Sequence, residues 1–382
     1  MGKGDCLGTF VHISDLHFGV VDSTNGDSEL VDAPPTWDAW HLYDGFLGHH
    51  RRALIDFVDA FVTLQATEDA RLIVTGDVSA CAEYSRIPGD DQFGTANRYL
   101  ADYLETSAFL HVGLGLGAAA VDLRVPGNHD HWGGKALSSS LPGTIFGGPS
   151  VGFFGSFKKT PFVCKPVPMG KLCSLIFAGI DSDADSSDWN RLLARGEFRK
   201  QLKDLEPLLG QPSADQIRVL LMHHSPMYRS PDFFQPLEIT EESQAALYQF
   251  IKEYDIAVIL TGHTHFAQCA VNQISFNGAN WDQLEARCGT TTVRDQVPPG
   301  WKSQWTSNYE LPKNTFLVHR LCETADAGRN LRIEWHTEWY CRSAAGFKCV
   351  GPLEPTGVVV WPRPVRHDHR RRRTSVRKEG GK

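Results

Sequence analysis

Asn128, His129 and Asp130 follow one another directly after Val125-Pro126-Gly127. An amide, an imidazole and a carboxylate are groups that bind hard or borderline cations and move protons. Four further stretches use the same residue types: Asp15-Leu16-His17, Gly76-Asp77, His223-His224 and Gly262-His263-Thr264-His265. Together they offer carboxylate, imidazole and amide oxygen without a thiolate. That donor set suits Mn²⁺, iron or Zn²⁺ in an open site and argues against closed structural zinc. Singly, each stretch is weak. Asp15-x-His17 reads equally as a polar turn with a surface histidine, and Gly76-Asp77 as a plain turn.

Each of the five follows a strand candidate that is wholly or mostly apolar, at residues 10–13, 72–75, 121–125, 217–222 (broken by Arg218) and 256–260. A run apolar on both faces is an interior strand of a covered sheet. In an extended stretch side chains alternate, so Asp15 and His17 would face one way, and so would His263 and His265. Leu54, Phe57, Val58, Phe61 and Val62 recur at helical spacing. A second helix is expected around residues 97–104. A third carries Leu247, Phe250, Ile251 and Tyr254, with Thr240 as its cap and Glu241 and Glu242 matching the macrodipole. Residues 175–178 form another strand, ending at Asp181-Ser182-Asp183. Asp181 reads as a turn residue or as a group behind the site, and the turn is the simpler reading.

The chain has 382 residues, 41% hydrophobic and 22% charged, enough for one large domain or one and a half. Its formal charge of -7 hides a split, because the body is acidic and the last stretch basic. No positive segment followed by an apolar one opens the chain, so no secretory leader is expected. Cys6 stands where a myristoylation pattern wants Ser or Thr. No apolar run is long enough to span a membrane. Nine cysteines without a Cys-x-x-Cys pair fit reduced thiols in a cytoplasmic protein. Cys341 and Cys349 read as free thiols, with pairing or metal binding as the alternative.

Residues 133–170, rich in Gly, Ser, Pro and Phe, read as an irregular insertion with short strands. Residues 267–340 read as antiparallel strands, as at 315–321 and 331–335. Periodicity fades after Pro352. A C-terminal extension is expected over 341–382, ending in a disordered basic tail with Arg363, Arg366 and the arginines at 370–373. The tail is either a plain solvated terminus or a weak electrostatic hold on nucleic acid or an anionic surface.

The five motifs, in this order, resemble the calcineurin-like metallophosphoesterase superfamily. Within it they are similar to the bacterial class III cyclic-nucleotide phosphodiesterase and glycerophosphodiesterase branch. The resemblance spans residues 9–266. It implies an α/β fold over residues 1–340: a four-layer α/β/β/α sandwich with two central mixed sheets and a dinuclear centre at the strand ends. Carried over by position, Asp15, His17 and His265 would hold one divalent metal, and Asn128, His223 and His263 the other. Asp77 would bridge them. His223, nearer its strand than His224, would be the ligand of that pair. His129 would stabilise the transition state or protonate the leaving alkoxide, and Asp130 would orient His129 or simply close the turn. The implied activity is hydrolysis of a small phosphodiester, cyclic nucleotides included, by a hydroxide shared between two cations about 3.5–4 Å apart.

The sequence also departs from two branches of that superfamily. Val78-Ser79-Ala80 follows Gly76-Asp77 where protein Ser/Thr phosphatases have Val-Asp-Arg-Gly. The tyrosine that purple acid phosphatases carry shortly after Gly-Asp is missing. A phosphomonoesterase, a nuclease aided by the basic tail, and a non-catalytic scaffold are the other readings. Scaffolds of this fold lack ligands, whereas here every expected position is filled. The segments 133–170 and 267–340 would cover the cleft or mediate an oligomer.

Overall fold

Mostly apolar runs form the inner strands, as positions covered on both faces favour. The computed structural model describes residues 5–18, 51–79, 92–101, 113–117, 122–131, 159–231, 235–293 and 313–362. In chain order its elements are β1 (Asp5–Ile13), α1 (Arg51–Glu68), β2 (Arg71–Thr75), α2 (Gln92–Ala101), β3 (Arg124–Val125), β4 (Phe162–Val163), β5 (Val167–Met169), β6 (Cys173–Gly179), α3 (Asp188–Leu192), α4 (Arg199–Leu209), β7 (Gln216–Leu221), α5 (Glu241–Glu253), β8 (Ile256–Thr261), β9 (Gln268–Phe276), β10 (Ala279–Arg287), β11 (Thr315–Ala325), β12 (Leu331–Ser343), β13 (Gly346–Pro352) and β14 (Val358–Trp361).

Two mixed sheets result. One has the order β13-β12-β11-β1-β2-β3, with β14 added on β12. In it β1, β2 and β3 are parallel, while β11 runs antiparallel to β1. The other has the order β4-β6-β7-β8-β10-β9, with β5 added on β6. Its β6, β7, β8 and β10 are parallel.

Three cores stack these layers into an α/β/β/α sandwich. α1 and α2 cover the outside of the first sheet, with Leu54, Phe57 and Phe61 packed among Val11, Ile13 and Phe316. Phe10, Ile73, Val125, Phe177, Val219 and Leu321 fill the space between the sheets. Leu202, Leu205, Phe250 and Ile251 from α4 and α5 cover the second sheet against Ile176, Leu220 and Ile259. Each fully buried Leu or Phe contributes about 1.5–3 kcal/mol. The layers therefore hold the strand ends, and the loops beyond them, in fixed register.

Several local expectations change. Val62 is 45% exposed, and Leu64 is buried instead. Thr240 is the N-cap of α5, but its hydroxyl bonds the Ser243 hydroxyl rather than a helix N–H. The boundary expected at residue 340 falls inside β12, and β13 and β14 both pair with that strand. Residues 341–361 are thus part of the first sheet and not an extension of it. Of the 133–170 insertion, residues 133–158 lie outside the described residues. The rest supplies β4 and β5. Helix positions 102–104 and the basic tail from 363 also lie outside them. Cys341 and Cys349 are free thiols. Among the described residues no helix is long and apolar enough to cross a membrane.

Candidate metal centre

The parallel strands of both sheets deliver their carboxyl ends to one place. Asp15 and His17 lie just beyond β1, Asp77 beyond β2, and Asn128 and His129 beyond β3. His223 lies beyond β7, and His263 and His265 beyond β8. All are buried except His265, which is partly exposed.

The backbone that presents them is not extended strand. β1 stops at Ile13, and Asp15 and His17 have φ of 53° and 51°. Asp77, His263 and His265 have φ of 49°, 74° and 60°. Residues other than glycine held in this left-handed region cost about 1–3 kcal/mol each and cluster at functional sites. So the pairs Asp15/His17 and His263/His265 do come together, but through tight left-handed turns rather than strand alternation.

Hydrogen bonds offset that strain. Asp15 N–H donates to Gly76 O at 3.1 Å, and Leu16 and His17 N–H both donate to Asp77 O at 2.8 and 2.9 Å. Behind β10, the hydroxyl of Thr290 donates to Asp15 O and that of Thr292 to Leu16 O, at 3.0 and 2.7 Å. These threonines tie the first loop to the second sheet, and the motifs gave no sign of them. Gly127 is required by close approach, because a Cβ there would overlap the Asp77 carboxylate.

The ligand atoms converge around Asp77. His223 Nε2 lies 3.1 Å from Asp77 Oδ2, 3.2 Å from Asn128 Oδ1 and 3.1 Å from His263 Nδ1. On the other side His17 Nε2 lies 3.6 Å from Asp77 Oδ2 and 4.0 Å from Asp15 Oδ1. Asp15 Oδ1 lies 3.2 Å from His265 Nε2. Three sets have ligand atoms within 4.8 Å of one another: Asp15, His17 and His265; His17, Asp77 and His129; and Asp77, His223 and His263.

The ring orientations fit a cation. His223 Nδ1 donates to Thr75 O at 2.6 Å and His263 Nε2 donates to Ala194 O at 2.9 Å. A carbonyl can only accept, so in the neutral rings the lone pairs sit on His223 Nε2 and His263 Nδ1. Those two lone pairs then face each other beside a carboxylate and an amide oxygen. Such carbonyl partners are what fix the tautomer of metal-ligating histidines. Asp15 Oδ1 and both ring nitrogens of His17 are buried without a hydrogen-bond partner among the described residues. The donor set therefore suits divalent metal on both sides of Asp77.

His224 is different. Ser182 Oγ accepts from the N–H groups of His223 and His224, so its own proton goes to His224 Nδ1 at 2.8 Å. That leaves His224 Nε2 as an N–H donor, and His223 as the member of the pair with a lone pair beside Asp77. Burial, then the neighbouring His263 and His223, holds the His224 pKa well below its ordinary value.

Two acidic residues tie the loops around the site together. Asp130, expected to orient His129, accepts from Gly127 N–H at 2.9 Å, Val78 N–H at 3.3 Å and both the N–H and hydroxyl of Ser79 at 2.8 and 2.9 Å. Its carboxylate ties the loop after β3 to the loop carrying Asp77, which is a positioning role. Asp181, read as a turn residue or a group behind the site, accepts the Asp183 N–H at 2.9 Å and lies 2.9 Å from His131 Nε2. Burial opposes charging His131, but Asp181 outweighs it and lifts the imidazole to about 9. This ion pair joins the loop after β3 to the loop after β6, across the two sheets. Both residues were within reach of sequence reasoning: His131 extends the Asn128 motif, and Asp181 follows an apolar strand as the other acidic residues do.

Charge follows the same geometry. Burial would raise the carboxyl of Asp15, but His265 outweighs it and holds it at about 2. Burial likewise opposes ionisation of Asp77, yet His223 and His129 hold it well below the usual carboxylate range. Burial lowers His223, and Asp77 more than reverses this, to about 9. Burial and then His223 hold His263 down at about 3. In the metal-free protein His223 therefore carries a proton that a metal bound at its Nε2 would have to displace. Apparent metal affinity should fall by up to about tenfold per pH unit as pH drops below 9, with proton release on binding. Calorimetric titrations with Mn²⁺ in buffers of different ionisation enthalpy measure that release. Binding without it between pH 6.5 and 8.5 would mean that His223 is not displaced.

A family model described as calcineurin-like phosphoesterase matches residues 8–267. No curated protein matches. Among solved structures, an uncharacterised protein of Streptococcus pneumoniae described as a predicted phosphoesterase aligns at 10% identity. The alignment covers 92% of this chain and 99% of that one, with a TM-score of 0.28. Vps29 of Chaetomium thermophilum aligns at 9% identity over 89% of this chain and 100% of its own, with a TM-score of 0.27. Likenesses this slight have no bearing on function. The family match, by contrast, runs over well more than half of the residues and takes in every motif around Asp77, and on it the chain belongs to the calcineurin-like phosphoesterase family.

Proposed function

We propose that this protein is a dinuclear-metal phosphodiesterase acting on a small phosphodiester, with cyclic nucleotides among its candidate substrates. The observation that carries the reading is the position of Asp77, shared between the set with His17 and the set with His223 and His263. When bound, two divalent cations (Mn²⁺, iron or Zn²⁺) supply Lewis-acid charge to phosphoryl oxygens and acidify a water. Asp15, His17 and His265 would hold one, Asn128, His223 and His263 the other, and Asp77 both.

The protein's own groups supply the rest. Thr75 O and Ala194 O keep the lone pairs of His223 and His263 turned inward. His129 is anchored by its N–H to Asp77 Oδ1 at 2.9 Å, and its side chain is 9% exposed with Nε2 3.9 Å from Asp77 Oδ2. From there it protonates the leaving alkoxide, a role worth about 10²–10⁴ in rate. The preference for diesters is supported by charge. Asp15 and Asp77 pair only with histidines among the described residues. Among the described residues no arginine is paired with either carboxylate to take the extra charge of a monoester dianion, as bidentate phosphate sites use.

The test is turnover, with added Mn²⁺, of bis-p-nitrophenyl phosphate, p-nitrophenyl phosphate, cyclic AMP, a glycerophosphodiester and single-stranded DNA. Diester turnover well above monoester turnover is expected. Faster monoester hydrolysis would make the protein a phosphomonoesterase. Cleavage confined to DNA, with strong salt dependence, would make it a nuclease.

A further inference from the structure

A buried polar chain runs behind the metal centre, on the strands rather than the loops. The indole N–H of Trp335 on β12 donates to His319 Nδ1 on β11 at 3.3 Å. His319 Nε2 lies 3.1 Å from His12 Nδ1 on β1. His12 Nε2 lies 2.9 Å from Thr75 Oγ1 at the end of β2. None of the four is more than 1% exposed. Thr337 Oγ1 also lies 3.1 Å from His319 Nδ1. The backbone carbonyl of Thr75 accepts from His223 Nδ1 and from the Ser14 hydroxyl, at 2.6 and 3.1 Å.

The direction of this chain is fixed by one donor. An indole nitrogen donates and never accepts. His319 Nδ1 must then carry a lone pair, so the proton of the neutral ring is on Nε2. That proton points at His12 Nδ1, which must accept, so the His12 proton is also on Nε2 and points at Thr75. The opposite direction would set an N–H of His319 against the indole N–H. Both rings stay neutral: burial, against a smaller pull from Asp15, holds His12 at about 3, and burial followed by His12 holds His319 well below its ordinary value.

We infer that Trp335, His319 and His12 form a one-way hydrogen-bonded chain that positions Thr75, and through it the ligand His223 and the loop carrying Asp77. Thr75 is held at both ends, its hydroxyl by His12 and its carbonyl by His223. Asp77 follows two residues later. None of these groups touches substrate; they are positioning residues. The inference rests on the reading of His223 as a metal ligand given above, but the ring tautomers do not.

The test has two arms. Ring ¹⁵N NMR of the metal-free wild type at pH 7 should find His12 and His319 both neutral and protonated on Nε2. A proton on Nδ1 of either ring would overturn the chain, and this arm needs no variant to fold. In the second arm, His12→Phe should weaken Mn²⁺ binding by about 10–100-fold, the usual effect of losing a group behind a ligand. His12→Gln, whose amide can accept from His319 and donate to Thr75, should restore it. kcat at saturating Mn²⁺ should stay near wild type in both. Unchanged Mn²⁺ affinity in His12→Phe would overturn the coupling to the metal centre. Failure of the wild type to bind Mn²⁺ would overturn the metal reading instead.

Discussion

Asp77→Asn should take metal content from two equivalents to none and abolish phosphodiester turnover. The substitution keeps the shape of the side chain, removes its charge and turns one acceptor oxygen into an NH2 donor. Asp77 Oδ2 faces His223 at 3.1 Å and His17 at 3.6 Å, while Oδ1 accepts the His129 N–H. Among the described residues no other carboxylate stands between the two halves of the site, since Asp15 faces His265 and His17. A second readout does not depend on metal. Asp77 is the main group raising His223 to about 9 against burial, so in metal-free Asp77→Asn the His223 imidazole should titrate lower by NMR. Inductively coupled plasma mass spectrometry gives the metal count. A variant that still held two metals would remove Asp77 from the bridging position.

His129→Ala should keep both metals and lose about 10²–10⁴ in kcat, the range for a lost proton donor. His129 touches Asp77 through its backbone N–H, which alanine retains, and its ring stands 4.4 Å from that of His17. The loss should be small for a diester with a p-nitrophenol leaving group, which needs no proton, and large for one with an alkyl alcohol. His129 also forms a compact set with His17 and Asp77. A fall in metal content would therefore make His129 a ligand rather than the acid.

Much of the sandwich was legible because its inner strands are mostly apolar and five of them end on a polar motif. Residues 256–260 and 217–222 read as strands and are β8 and β7, whose ends carry His263, His265 and His223. What could not be read was the backbone conformation. Strand alternation puts Asp15 with His17 for the wrong reason, since both lie in left-handed turns, and such turns carry no period to detect. β13 and β14 escaped because they pair at the sheet margin, with exposed positions and breaks in register. The groups behind the ligands escaped for another reason. Thr75 and the threonines after β10 act through contacts between segments far apart in sequence, and neither spacing nor periodicity reports such contacts. His12 and His319, 307 residues apart, meet only because β1 and β11 are neighbours.

The most direct measurement is an anomalous difference map from crystals grown or soaked with Mn²⁺. Two peaks are expected about 3.5–4 Å apart, with the Asp77 carboxylate between them, one peak beside His17 and His265 and the other beside His223 and His263. A single peak, or two peaks that do not share Asp77, would contradict the account.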